Sequence, residues 1–342
     1  MRHLHLTTLK TPLTTAAALL AAGALLAGCG EDAPSGQESA PGQQVAGGST
    51  LNQSWPLTGL DVEGDDSAAQ THPVMVAKID NTDSSAPQLG LGSADLVVEE
   101  LVEGGSTRLA AFFYSEIPDQ VGPVRSMRAS DIGIVSPVDA SVVTSGAAPV
   151  TIKRITGAGI KFYGEGAEGM SRASDRSAPY NLMNDMSQLV DSLPEREEQR
   201  PDDYLPWGEA SDLPKGKKAT TLAANFGNHT TNWAFKGGEY VNQNSFAAEG
   251  DRFTPDTVLV LRVPVGDAGY RDPAGNPVPE TKLDGKGEAL LFHDGQVVKA
   301  TWEKKGLGSP LDLSVGKKEL SVPAGHTWIE LVPAANGNVT WR

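Results

Sequence analysis

Residues 74–81 read VMVAKIDN, residues 93–114 read SADLVVEELVEGGSTRLAAFFY, and residues 121–133 read VGPVRSMRASDIG. The first is a short apolar run bounded by Pro73 and Asn81, the pattern of a buried strand. It sets Asp80 and Asn81 at a strand's carboxyl end, where open α/β sheets collect ligand groups. In the second, Ser93 is placed to cap a helix over 93–102, with Leu96, Val97 and Leu101 near helical spacing, although Val97-Val98 suits a strand equally well. Gly104-Gly105 ends that element, and Thr107 to Tyr114 reads as a strand.

Downstream, residues 130–135 open a short helix, with Ser130 or Ser126 as its cap and Pro137 as its stop. Residues 141–144 form another buried strand, and residues 150–155 a helix ended by Gly157 and Gly159. The clearest helix is 181–193, NLMNDMSQLVDSL, where Leu182, Met186, Leu189 and Val190 share one side ahead of Pro194. Strands alternating with helices predict an α/β or α+β N-terminal domain over residues 55–194. Residues 195–219 are charged and Pro-rich and read as a connector. From residue 220 to 342, strand-like runs separated by Gly, Asn and Pro turns predict a smaller, mostly-β C-terminal domain.

The chain begins with a leader. Residues 1–28 carry Arg2 and Lys10, an apolar run from Ala16 to Ala27, and then Leu26-Ala27-Gly28 before Cys29. The tetrad resembles the bacterial lipobox, which implies a diacylglycerol on Cys29. Cys29 is the sole cysteine, so no disulfide forms within the chain and no cysteine nucleophile is left once it is lipidated. Residues 29–54, rich in Gly, Ser, Gln, Ala and Pro, cannot offset their ordering entropy by burial and read as a flexible tether. No other run has the ~18 apolar residues of a membrane-spanning helix, so the lipid is the expected membrane contact on the extracytoplasmic side. The formal charge is -15, and removing the leader lowers it by two more. That argues against nucleic acid or an anionic bilayer surface as the main partner.

The runs PVMVAKIDN, PQLGLGSADLVVEELVEGGSTR and VGPVRSMR, with GQVVKATWEK and GHTWIELVP near the end, resemble the YerB-like family of bacterial lipoproteins. The resemblance spans residues 73–333 in the expected order. It implies an α/β domain followed by a smaller β-rich one, and it brings no assigned activity. The family pattern carries Pro-His-Asn where this chain has Pro179-Tyr180-Asn181. Any chemistry resting on that histidine would be missing here.

The candidate chemistry lies in Asp80, Asn81, Glu99, Glu100, Glu103, Arg108, Arg125, Arg128 and Asp131. Guanidinium forks suit carboxylate or phosphate, and carboxylates beside them stay ionised, so the group can form a ligand pocket. Two carboxylates at suitable separation can also divide acid and base roles in glycan cleavage. The same residues can equally form an internal ionic brace. Other signatures fail. GEGAEG at 164–169 has the dinucleotide-loop spacing, but its glutamates repel phosphate. His72, His229, His293 and His326 lack helical metal spacing, and no Gly-x-Ser-x-Gly occurs. No metal or other cofactor is expected. Trp302 and Trp328 fall in strand-like runs and read as core, although the tryptophans of this half could include a sugar platform.

Three functions remain open: binding of a polar envelope ligand or protein partner, a carboxylate-dependent enzyme of wall glycan, and an envelope scaffold. The first is the leading expectation, because the lipid address and clustered charge come without a catalytic signature.

Overall fold

The structure is a computed structural model that describes residues 53–64 and 67–342. The leader, Cys29 and all but the last two residues of the expected tether lie outside the described residues. What is described is mostly β. The strands used below are β1 (Met75–Asn81), β2 (Leu96–Leu101), β3 (Thr107–Phe113), β4 (Ser141–Val143), β5 (Phe162–Tyr163), β6 (Thr221–Asn225), β7 (Thr230–Lys236), β8 (Glu239–Asn242), β9 (Thr257–Val263), β10 (Gly285–His293), β11 (Gln296–Lys304), β12 (Asp312–Val315), β13 (Lys318–Glu319), β14 (Thr327–Pro333) and β15 (Asn338–Trp341). The helices are α1 (Asp131–Val135), α2 (Pro149–Gly157) and α3 (Met186–Asp191).

One twelve-stranded mixed sheet runs through both halves of the chain in the order β13-β12-β11-β10-β9-β14-β2-β3-β1-β4-β5, with Lys217–Lys218 pairing beside β11. The join is β14, which lies parallel to β9 on one side and parallel to β2 on the other. All seven of its residues are buried. Ile329, Leu331 and Val332 each contribute about 1.5–3 kcal/mol of apolar burial. The 195–219 segment therefore connects two sequence regions that complete a single sheet.

Both faces of this sheet are covered, so its central strands are buried on both sides and lack the alternation of apolar and polar residues. Val76, Val98, Phe112, Leu259 and Leu331 pack on one face with α1 and α2. Met75, Val97, Phe113, Val258 and Trp328 pack on the other, under α3 and a four-stranded sheet ordered β8-β7-β6-β15. Trp302 and Trp328 are core residues, as the sequence indicates.

Two expectations are corrected. Residues 93–102 are not a helix, because Leu96–Leu101 is a strand buried on both faces. Its Leu-Val-Val-Glu-Glu-Leu series imitates helical spacing only because neither face demands polar residues. Asp95 ahead of it accepts the backbone N–H groups of Tyr114 and Ser115, at 2.6 and 3.0 Å, and holds the end of β3. The helix expected over 181–193 is shortened to α3. Asn184 exchanges backbone hydrogen bonds with Val121, and Asp185 then caps α3 by accepting from the Gln188 N–H at 2.8 Å. The α/β alternation over 55–194 is thus only partly realised, since α1, α2 and α3 span five, nine and six residues. The mostly-β character from residue 220 onward is present.

Because β14 is flanked by strands from both halves, residues 53–214 made alone would bare one side of β2. That fragment is expected to lose cooperative unfolding in a denaturant titration followed by circular dichroism. A sharp, reversible transition would show that the first half stands without β14.

Candidate functional site

Adjacent residues of a strand point to opposite faces, so the charged residues of β1 and β2 divide by parity. Lys78, Asp80 and Glu100 point to the face carrying α1 and α2. Asn81 and Glu99 point to the face under the four-stranded sheet. The sequence groups these residues together; the structure brings them to the same strand ends but on two sides.

On the α1 face, Lys78 Nζ lies 2.7 Å from Glu100 Oε1 and 2.8 Å from Asp131 Oδ1, with all three side chains fully buried. The Arg128 backbone N–H donates to the other Asp131 oxygen at 2.6 Å. Burial pulls the Lys78 ammonium down, but Asp131 and Glu100 outweigh it and leave Lys78 above its ordinary range. Burial pushes the Glu100 carboxyl up, Lys78 opposes this and Asp131 adds to it, so Glu100 ends high.

Beside this triad, Glu103 accepts from Arg128 Nε at 2.9 Å and from Arg108 Nη2 at 3.2 Å. A second Arg128 nitrogen also donates to Glu103. Arg108 further donates to the Ser126 carbonyl at 2.6 Å. Burial, joined by the like charge of Arg128, lowers Arg108 to about 10. Burial alone would raise Glu103, yet Arg128 and Arg108 hold it below the usual carboxylate range.

At the rim, Arg125 Nε lies 3.2 Å from Asp80 Oδ2, and its guanidinium sits 4.9 Å from the centre of the Tyr180 ring. Its Nη1 donates to the Pro179 carbonyl at 3.3 Å. Asp80 also accepts from the Thr82 N–H at 3.0 Å. The Arg125 side chain is 17% exposed, the most open of the group. Lys78, Arg108, Arg125 and Arg128 face Asp80, Glu100, Glu103 and Asp131, so the set has no net formal charge.

On the opposite face, the fully buried Glu99 accepts from Asn81 at 3.0 Å and from the Thr231 hydroxyl at 2.8 Å. His229 Nε2 lies 3.2 Å from Glu99 Oε1. Burial would raise Glu99, but the hydrogen bond and charge of His229, with Thr107 and Thr231, leave it low. Burial would lower His229, and Glu99 raises it above its ordinary 6.5. Residues 229 and 231 arrive from β7 and its turn, more than a hundred residues away. Lys78 had a local signal, as a lysine inside an otherwise apolar strand.

The clefts of 420 Å³ beside His293, 270 Å³ beside Arg200 and 510 Å³ beside Trp341 are lined by other residues. Among the described residues, no cluster of three His, Cys, Asp or Glu is disposed to hold a metal ion. No described helix is long and apolar enough to cross a membrane.

Two family profiles match the chain: "Protein of unknown function (DUF3048) N-terminal domain" over residues 57–199 and its C-terminal domain over residues 220–329. The chain belongs to this family. As a DUF3048 protein it is 28% identical over 288 residues to "Putative lipoprotein YerB" of Bacillus subtilis (strain 168), covering 81% of this chain and 86% of that protein. It also matches the crystal structure of the YerB protein from Bacillus subtilis with a TM-score of 0.69 and 22% identity. That match covers 84% of this chain and 99% of that one, and it shows a shared fold. The Lys78 triad and the Arg108–Glu103–Arg128 bridge sit within the DUF3048 N-terminal region, whereas Glu99 is completed by residues of the C-terminal region.

Removing one partner of a buried ion pair leaves the others uncompensated. Lys78→Met is expected to cost about 3–5 kcal/mol in chemical denaturation. The double variant Lys78→Met/Glu100→Gln should recover part of that loss. A change under about 1 kcal/mol for the single variant would deny the triad a bracing role. His229 gives a pH test of the other face. Its folded pKa is raised, so its contribution is complete below the unfolded value of about 6.5 and fades as pH rises through the folded value. His229→Gln should therefore flatten the decline of stability above that pH in thermal melts.

Proposed function

We propose that the mature protein is a lipid-anchored binding protein on the extracytoplasmic face of the membrane, and that it meets an anionic envelope ligand at the rim formed by Arg125, Tyr180 and Asp80. The observation that carries this reading is the position of Arg125. It is the most exposed guanidinium side chain of the network, set over Tyr180, with its backbone bonded to Lys78 of β1 and to Ser145 just after β4. Its ε-nitrogen faces Asp80 and one terminal nitrogen holds a long contact to Pro179, which leaves donors for a carboxylate or phosphate. Asp80 and the aromatic ring fix the fork before the ligand arrives, which lowers the ordering cost of binding.

Anchoring is supported by the Leu26-Ala27-Gly28-Cys29 tetrad and by the lipoprotein description of the Bacillus relative. Residues 29–54 would act as the tether, and residues 55–194 and 220–342 as the two sequence regions of one body. The buried remainder of the network, Glu100, Glu103, Arg108, Arg128 and Asp131, would set the rim in place without touching ligand. Asn81 and Glu99 would belong to the brace of the opposite face.

The carboxylate-enzyme reading loses support from parity. Glu99 and Glu100 are fully buried on opposite sides of the sheet, so neither lines a cleft with the other. An envelope scaffold acting through its surface is the second reading, favoured by the internal pairing of the other charges.

The leaderless body is to be titrated calorimetrically with polyol-phosphate polymers and with peptide-bearing glycan fragments. Arg125→Ala should weaken binding roughly tenfold to hundredfold, the range of a charged hydrogen bond, in a variant whose circular dichroism shows it still folded. Equal affinity of wild type and variant would remove Arg125 from the ligand contact. No binding by either would leave the scaffold reading. Cys29→Ser should shift the protein from the membrane to the soluble fraction.

A further inference from the structure

Glu330 of β14 stands opposite Glu99 of β2 in the parallel register that joins the two halves of the chain. Both carboxyls are fully buried, and alternation points both to the face under the four-stranded sheet. Neighbouring strands lie about 4.8 Å apart, so the two acids are side by side in a dry layer.

Their donors are unequally shared. Glu99 receives Asn81 and Thr231 and is paired with His229. Glu330 receives the Trp233 indole N–H at 2.8 Å on one oxygen, and its second oxygen has no partner among the described residues. The other groups turned to this layer are Thr107, which accepts from Asn81, and the Trp328 indole. Asp83 acts on His229 from outside. Among the described residues, His229 forms the ion pair to Glu99 and Glu330 has none.

Two bare carboxylates beside one imidazolium would leave a net negative charge in a medium that solvates it poorly, at a cost of several kcal/mol. A single proton on one carboxyl removes that charge and supplies the donor the pair lacks. It belongs on Glu330, whose free oxygen can carry it, because Glu99 already has the cation and the hydroxyl and amide donors. Burial and the adjacent Glu99 push Glu330 well above the ordinary carboxyl range.

We propose that Glu99 and Glu330 hold one proton between them and, with His229, form a proton-set latch that fastens β7 and its turn to the main sheet. This inference is independent of the Arg125 reading. Loss of the Glu330 proton leaves two charges repelling beneath Thr231 and Trp233. Loss of the His229 proton leaves Glu99 without its cation. Both groups have folded pKa values above the unfolded ones, so both changes weaken the latch as pH rises. The latch also reaches the opposite face, since Asn228 beside His229 donates to the Gly104 carbonyl at 3.1 Å, in the turn that carries Glu103. Alkaline release would therefore slacken the support of Arg108 and Arg128.

Amide hydrogen exchange of the wild-type protein, corrected for the intrinsic rate, gives a test that needs no variant. Between about pH 6 and 9, protection of β7 should fall about tenfold or more relative to β1, as a one-unit difference in a linked pKa requires. Equal pH dependence of β7 and β1 would overturn the latch. Glu330→Gln keeps the shape and hydrogen-bonding capacity but cannot ionise, so it should reduce the relative fall to less than about threefold and remove one protonated-carboxyl band from the infrared spectrum at neutral pH. Bands of any other protonated acid should persist. An infrared spectrum unchanged by Glu330→Gln would overturn the assignment of the proton.

Discussion

A carboxylate on a strand covered on both faces has no water to turn to. Glu99, Glu100 and Glu330 all stand on such strands near the middle of the main sheet. Each is met differently: Glu100 by Lys78, Glu99 by His229 with Thr231 and Asn81, and Glu330 by a single indole N–H. The rest of the arrangement follows from satisfying these acids. The turn at 103–105, the segment 125–131 and the β6–β7 turn are all fixed to residues that answer a buried charge.

Much of the framework was legible. The runs at 74–81, 107–114 and 141–144 are apolar enough to be strands under any reading, and the strand-and-turn texture after residue 220 is unmistakable. The failure at 93–102 came from the same cause that makes β2 central. A strand buried on two sides loses its alternation, and four acids at local spacing then look like the exposed face of a helix. Its carboxylates are answered by residues the local window does not contain.

The candidate residues were found by type and proximity, and their partition into two faces was not. Parity alone separates Asp80 from Asn81 and Glu99 from Glu100 once the strand reading is adopted. His229, Thr231 and Glu330 lie 130 to 231 residues beyond Glu99, and only the parallel insertion of β14 and the docking of β7 bring them to it. That information resides in sheet order, which a single sequence expresses weakly.

The place of β14 also bears on how the chain is made. It lies near the middle of the main sheet, yet it is the last of that sheet's strands to be synthesised. Until it emerges, β2 and β9 have no common neighbour, and the sheet cannot close. A chain of this order stays open through almost the whole of its passage from the ribosome. On the extracytoplasmic reading proposed above, such delay keeps the chain open while it is exported, because the closing strand is also the one that crosses late.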